Sequence, residues 1–133
     1  MQHDELLHKV AERAGLSSTD EARAVVDATL QTLAERILGT EAAQLAANLP
    51  VELAGALGTG DEAERFDLDE FVDRVRRRAG MDDGANVLQA AQAVMGVTRE
   101  AVGEGEFADV VSQLPNDYEP LLSMAGGMPG RHP

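Results

Sequence analysis

The sequence contains no cysteine, no tryptophan and one lysine, and aromatic residues make up 3% of its 133 residues. The lack of cysteine excludes disulfide bonds, thiolate metal sites and a cysteine nucleophile. No apolar run approaches the ~20 residues that a membrane-spanning helix requires. The first residues are charged and periodic, without a basic segment followed by an apolar one, so we expect no signal peptide and a soluble, cytoplasmic protein.

Negative charge dominates the sequence, with a net charge of -13 and a pI of about 4.4. Such a surface repels the phosphates of nucleic acids and of anionic membranes, so we expect neither as a partner. Apolar residues make up 44% of the chain. With few aromatic residues, the core must be aliphatic. The abundance of alanine and other helix formers predicts one all-α domain.

One pattern of residues occurs twice, after a shift of 65 positions. The shift aligns DELLHKVAERAG, residues 4–15, with DEFVDRVRRRAG, residues 69–80, and it aligns Pro50 with Pro115. Each copy predicts a helix stopped by glycine, a long helix, a short helix ending at Leu-Pro, and a fourth helix. We therefore expect about eight helices in an internally duplicated bundle of two four-helix halves.

The halves should share one core, because fewer than about 60 residues without a disulfide form a marginal domain alone. The expected organisation is a first repeat over residues 1–58, a linker over 59–65 and a second repeat over 66–125. The glycine- and proline-rich tail, residues 126–133, is expected to be disordered.

Local signals at the second repeat are the clearest in the chain. Asp67 predicts an N-cap, Glu70 completes a capping box, and Phe66 and Phe71 have the spacing of a hydrophobic staple. Gly80, like its counterpart Gly15, should end its helix in the left-handed conformation.

Other helix limits follow from weaker signals of the same kind. Ser17, Ser18 and Thr19 can cap the second helix, with Glu21 in its first turn. The remaining limits are expected near Leu38, Thr40, Asp83, Val102, Glu106 and Leu114. Pro120 requires the last helix to start late, near Asp117.

The repeat also preserves charged residues. The matched pairs are Glu5 with Glu70, Lys9 with Arg74, Arg13 with Arg78, Glu35 with Glu100, and Glu41 with Glu106. We expect Arg13 and Arg78 to tie the first helix of each copy to a neighbouring helix, at Glu35 or Glu100. The last pair lies in a first helical turn, where the helix dipole favours negative charge.

Four arginines, Arg74, Arg76, Arg77 and Arg78, form a basic cluster in an otherwise acidic chain. One interpretation is a patch that binds an anion or an acidic partner protein. The other is a charge cluster at a helix C-terminus, where cations are favoured and acids one turn earlier can pair with them. Both interpretations stay open at this point.

Two other possible metal-binding motifs have the wrong spacing or the wrong residue types. His3 and His8 are five residues apart, so they project about 140° apart on a helix and do not form a zinc-protease pair. The acids between Asp67 and Asp73 lack the alternation of a calcium loop, and Phe71 stands where a polar residue or glycine would be needed. We therefore expect no catalytic residue, cofactor or metal ligand.

The doubled pattern DExxxxVxxRAG, followed by a long helix and a short helix ending in Leu-Pro, resembles the family known as domain of unknown function 2267. The resemblance covers about Asp4 to Leu122 and is clearest over the second repeat. It implies a small helical protein of bacteria or archaea, and it supplies no catalytic residues.

These observations favour a non-enzymatic protein-interaction or regulatory module that binds another protein or itself. The alternative is a small-ligand-binding or enzymatic helical domain with a pocket between the two halves. A deep polar pocket or a strongly perturbed titratable group would favour the alternative.

Overall fold

The computed structural model describes residues 1–57, 63–82 and 86–123. Over these residues the chain is all-helical, with eight α-helices, one 3₁₀-helix and no strand. The helices are α1 (His3–Ala14), α2 (Thr19–Arg36), α3 (Gly39–Ala47), α4 (Val51–Leu57), α5 (Leu68–Ala79), α6 (Val87–Val102), α7 (Glu104–Val111), η1 (Asn116–Tyr118) and α8 (Glu119–Ser123). The predicted tail, and most of the predicted linker, lie outside the described residues.

Glycine ends both α1 and α5, as predicted. Gly15 has φ 69° and Gly80 has φ 70°, and in each case the capping N–H groups reach carbonyls of the last helical turn. At the start of α2, Ser18 is the N-cap, and its Oγ accepts a hydrogen bond from the N–H of Glu21 at 3.1 Å.

The start of α5 confirms the predicted cap and staple. Asp67 Oδ1 accepts from the N–H of Glu70 at 2.9 Å, and the rings of Phe66 and Phe71 lie 6.5 Å apart. The side chain of Glu70 does not complete the expected capping box. Its carboxylate instead accepts from Arg74 Nε at 2.8 Å, because a guanidinium is a stronger donor than a backbone N–H.

Two predicted helix limits in the first half of the chain are wrong. α2 ends at Arg36 and not near Leu38, because Ile37 turns to extended backbone and buries its side chain. Leu38 rather than Thr40 is then the N-cap of α3.

In the second half of the chain, α7 begins at Glu104 and ends at Val111, earlier at both ends than predicted. The tight i to i-3 hydrogen bond from the N–H of Leu114 to the carbonyl of Val111 replaces the last helical turn. The late start predicted from Pro120 is confirmed, because α8 begins at Glu119 after η1. α6 begins at Val87, and its expected start at Asp83 lies outside the described residues.

The core is built across the two parts of the chain. α1 packs against α6 and α2, and α5 packs against α2 and α6. Among the described residues, the buried side chains form one cluster drawn from all eight α-helices and the 3₁₀-helix. Phe71 and Tyr118 are both fully buried and meet edge to face at 5.7 Å. No helix in the described part of the chain is long and apolar enough to cross a membrane.

Two glycine substitutions should change stability in opposite directions. Gly80→Ala should lower the free energy of unfolding by about 1 kcal/mol, because alanine is strained at its positive φ. Gly55→Ala, inside α4, should raise it by about 0.5–1 kcal/mol, because a Cβ there meets nothing within 4 Å and alanine favours helix. Urea denaturation of both variants measures the difference, and a stabilised Gly80→Ala protein would contradict the left-handed cap.

Candidate functional site

Arg74 is bound by acids of its own chain. Its Nη1 lies 2.8 Å from Glu35 Oε1 and 3.2 Å from Glu64 Oε1, and its Nε donates to Glu70. Its guanidinium also lies over the ring of Phe66, 3.9 Å from the ring centre. Arg74 therefore joins α5 to α2 and to the segment that precedes α5.

The expected ties at Arg13 and Arg78 are confirmed. Arg78 Nη2 lies 2.6 Å from Glu35 Oε2, and Arg13 Nη2 lies 2.5 Å from Glu100 Oε2. Lys9 Nζ also donates to Glu100, at 3.2 Å. Burial raises the pKa of each glutamate, but the cationic donors outweigh it and hold each pKa below its ordinary value.

The other two arginines of the cluster share one acid. Arg76 Nη2 lies 3.0 Å from Asp73 Oδ1, and Arg77 Nε lies 2.9 Å from Asp73 Oδ2. Hydrogen bonds from both arginines lower the pKa of Asp73. All four predicted patch arginines thus have carboxylate partners within the chain, and their role in binding a partner stays a prediction.

A cleft of about 1030 Å³ opens between the end of α2, residues 63–67, and the turn that joins α7 to η1. Both apolar and charged side chains line it. The lining includes Arg36, Leu38, Arg65, Phe66, Leu114 and Pro115. Leu38 is half exposed, at 52%, so part of the apolar lining of the cleft is accessible to solvent.

The walls of the cleft are held in place by partly buried hydrogen bonds. The hydroxyl of Tyr118 donates to the carbonyl of Phe66 at 2.7 Å, and burial raises the pKa of Tyr118 to about 12. Arg36 Nε donates to the same carbonyl at 3.1 Å, while its guanidinium lies over the Tyr118 ring at 5.5 Å. The cleft is therefore formed before any ligand arrives.

The charged side chains at the rim of the cleft differ in whether they already have a partner within the chain. Asp67 caps α5, and Asp117 Oδ2 accepts from the N–H of Leu68 at 3.0 Å. Arg65 is exposed and makes no ion pair with any residue that the structure describes. Arg65 is therefore available to a ligand, and it would attract a carboxylate.

A second group of side chains was not predicted from the sequence. One carboxylate oxygen from each of Glu41, Glu106 and Asp109 lies within 4.8 Å of the others. Gln113 Nε2 donates to Glu41 Oε1 at 3.3 Å, and the N–H of Leu38 donates to Gln113 Oε1 at 2.8 Å. The alignment of Glu41 with Glu106 was the one sequence signal for this group.

The histidines and the acidic run have structural surroundings. His3 Nε2 lies 3.2 Å from Arg23 Nη1, and His8 is exposed. Neither belongs to a group of possible metal ligands among the described residues. Asp67 and Asp73 are occupied by the cap and the ion pairs described above.

Replacing Glu35 tests the tie between α2 and α5. Glu35→Gln should lower the free energy of unfolding by about 1 kcal/mol near neutral pH, since two guanidiniums lose a charged acceptor that is partly screened by solvent. Because the folded pKa of Glu35 is lowered, this stability is present above its ordinary value of 4.5 and is lost as the pH falls through the folded pKa.

Urea denaturation at several pH values measures the difference between the two proteins, which should shrink in acid. Glu12→Gln is the matched control, since Glu12 is exposed and has no ion pair within the described residues. An equal loss of stability in both variants would contradict the tie.

Comparison with known protein families identifies the family of this chain. The family model described as Uncharacterized conserved protein (DUF2267) matches residues 3–121, which run from the start of α1 into α8. The chain belongs to this family, as the sequence resemblance predicted. A search among curated proteins returned no match.

Proposed function

We propose that this member of the DUF2267 family is a duplicated four-helix unit whose two copies complete each other's core. A shift of 65 residues superposes the bounds of α1 on those of α5. The same shift also relates the ion pairs of the two copies. Lys9 and Arg13 contact Glu100. Their aligned counterparts, Arg74 and Arg78, contact Glu35, which is the residue aligned with Glu100. Each first helix also packs against the long helix of the other copy.

Separating the copies tests this proposal. Residues 1–57 and residues 63–123, made as two polypeptides, should each show little helix by circular dichroism, because each lacks the helix that covers its apolar stripe. Mixed in equal amounts, they should regain helix and a cooperative thermal transition. A cooperative transition in either polypeptide alone would contradict the proposal.

We further propose that the protein is a cytoplasmic, non-enzymatic interaction module, and that the cleft binds a short segment of a partner protein. The preformed cleft with an available arginine at its rim is the observation that supports this function. The segment would place apolar side chains on Leu38, Phe66 and Leu114, and an acidic residue next to Arg65.

The shape of the cleft favours a peptide over a small molecule. Sites for small ligands generally enclose most of the ligand surface, whereas this cleft is open along its length. A peptide can lie along an open groove and gain affinity from several anchors together. The net charge of -13 would repel acidic segments elsewhere on the surface, so Arg65 would also contribute selectivity.

One observation favours the alternative of a small-ligand or enzymatic site. Glu41, whose pKa is raised by burial and by the neighbouring Glu106, lies behind Gln113 in the cleft wall. A titratable group with a raised pKa beside a cleft can take part in acid–base chemistry. The same cleft would then hold a small ligand whose polar group faces Gln113.

Peptide selection tests the interaction function. Peptides selected from a random display library on the wild-type protein should carry an acidic residue beside apolar ones. In a fluorescence polarisation titration, Arg65→Glu should weaken their binding by about tenfold or more, since attraction to the acid becomes repulsion.

Arg77→Glu is the matched control, because it makes the same change at an exposed arginine of the predicted patch. It should leave the affinity within about twofold. Loss of binding in Arg77→Glu with retention in Arg65→Glu would place the partner on the patch instead. Failure to select any peptide, together with thermal stabilisation by a small metabolite, would favour the alternative function.

A further inference from the structure

Glu41 and Glu106 present carboxyl groups to each other across the contact between α3 and α7. Both lie in the first turn of their helices. Glu41 Oε2 and Glu106 Oε2 are each shielded from solvent, and neither accepts a hydrogen bond from any described residue. One carboxylate oxygen of Glu41 lies within 4.8 Å of one carboxylate oxygen of Glu106. Because the two residues belong to different helices, the interaction of their carboxyl groups either holds α3 and α7 together or pushes them apart.

The charge state decides which of these happens. Two ionised carboxylates at this separation repel, and shielding from water removes the solvation that would offset the repulsion. One proton between them converts the repulsion into an O–H···O⁻ hydrogen bond, which is among the stronger hydrogen bonds in proteins.

The charged groups on the surrounding helices do not neutralise the pair. Asp109 of α7 is the third member of the cluster and adds negative charge. Arg99 of α6 is turned to Glu104, with Nη2 to Oε2 at 2.8 Å, and Glu100 of α6 binds Lys9 and Arg13. The one charged residue of α4 is Glu52, another acid. No described cation forms an ion pair with Glu41, Glu106 or Asp109.

We propose that Glu41 and Glu106 share one proton and that this shared proton stabilises the contact between α3 and α7. The stabilisation is lost when the proton dissociates at higher pH. The pair acts as a pH-sensitive latch beside the cleft, and neither of its two residues lines the cleft. Burial, followed by the hydrogen bond and the charge of Glu106, raises the pKa of Glu41, in agreement with this arrangement.

The direction of the pH effect follows from the raised pKa. The folded protein keeps a proton that the unfolded chain releases near the ordinary value of 4.5. The stabilising contribution is therefore complete below that value and is lost as the pH rises through the folded pKa of Glu41. This is opposite to the effect at Glu35, so the two can be separated by substitution.

Glu41→Gln tests the latch, because the amide has the shape of the protonated carboxyl and cannot ionise. In thermal unfolding at about pH 8, Glu41→Gln should raise the melting temperature by roughly 2–6 °C relative to the wild type. Near pH 4 the two proteins should melt together. Glu106→Gln should behave in the same way, and the double variant should gain little more, since one proton is shared.

Glu12→Gln controls for the loss of one negative charge from an acidic protein, and it should give a smaller gain at alkaline pH. Carbon-13 NMR of the Glu41 carboxyl in the wild type should show titration above its ordinary pKa of 4.5. A gain in Glu41→Gln equal to that of Glu12→Gln, or one that does not depend on pH, would overturn the proposal. So would stabilisation of the alkaline wild type, but not of Glu41→Gln, by added calcium, since a cation would then occupy the place of the proton.

Discussion

The contact on which the rest of the structure depends is the burial of α1 against α6 and of α5 against α2. Leu6 and Val10 on α1, and Phe71 and Val75 on α5, are almost completely buried. Each of these short helices has an apolar stripe that its own part of the chain covers only in part, and the long helix from the other part completes the burial. Because the hydrophobic contribution scales with the area removed from water, the contacts between the two parts contribute a large share of the burial of these helices.

Electrostatics then fixes how these helices meet. Burial alone is non-directional and would tolerate sliding of one helix along another. Glu35 and Glu100 each receive a cationic side chain from the helix that crosses theirs, at distances that allow little change of register. In a chain with a net charge of -13, these arginines also remove like-charge repulsion from the two main helix contacts.

The sequence predicted those features that depend on neighbours along the chain or on the repeat. The cap at Asp67, the stops at Gly15 and Gly80 and the partners of Arg13 are of this kind. The end of α2 was missed because the burial of Ile37, a tertiary effect, outweighs the helical pattern. A pocket between the two halves was one of the alternatives, but the residues that line the cleft could not be predicted, since its walls come from three segments far apart in the chain. The contact of Glu41 with Glu106 was missed because aligned positions need not be neighbours in space.

One side chain connects the carboxyl pair to the cleft. Gln113 donates to Glu41 and accepts from the N–H of Leu38, so it spans from the pair to the apolar wall where a partner would bind. A partner segment that binds against Leu38 would shift Gln113, and it would thereby change the hydrogen bond that Glu41 accepts from Gln113. If the cleft binds a partner, thermodynamic linkage then requires that proton uptake by the pair and partner binding affect each other equally. The acids at α3 and α7 would thus make the cleft sensitive to pH without lying in it.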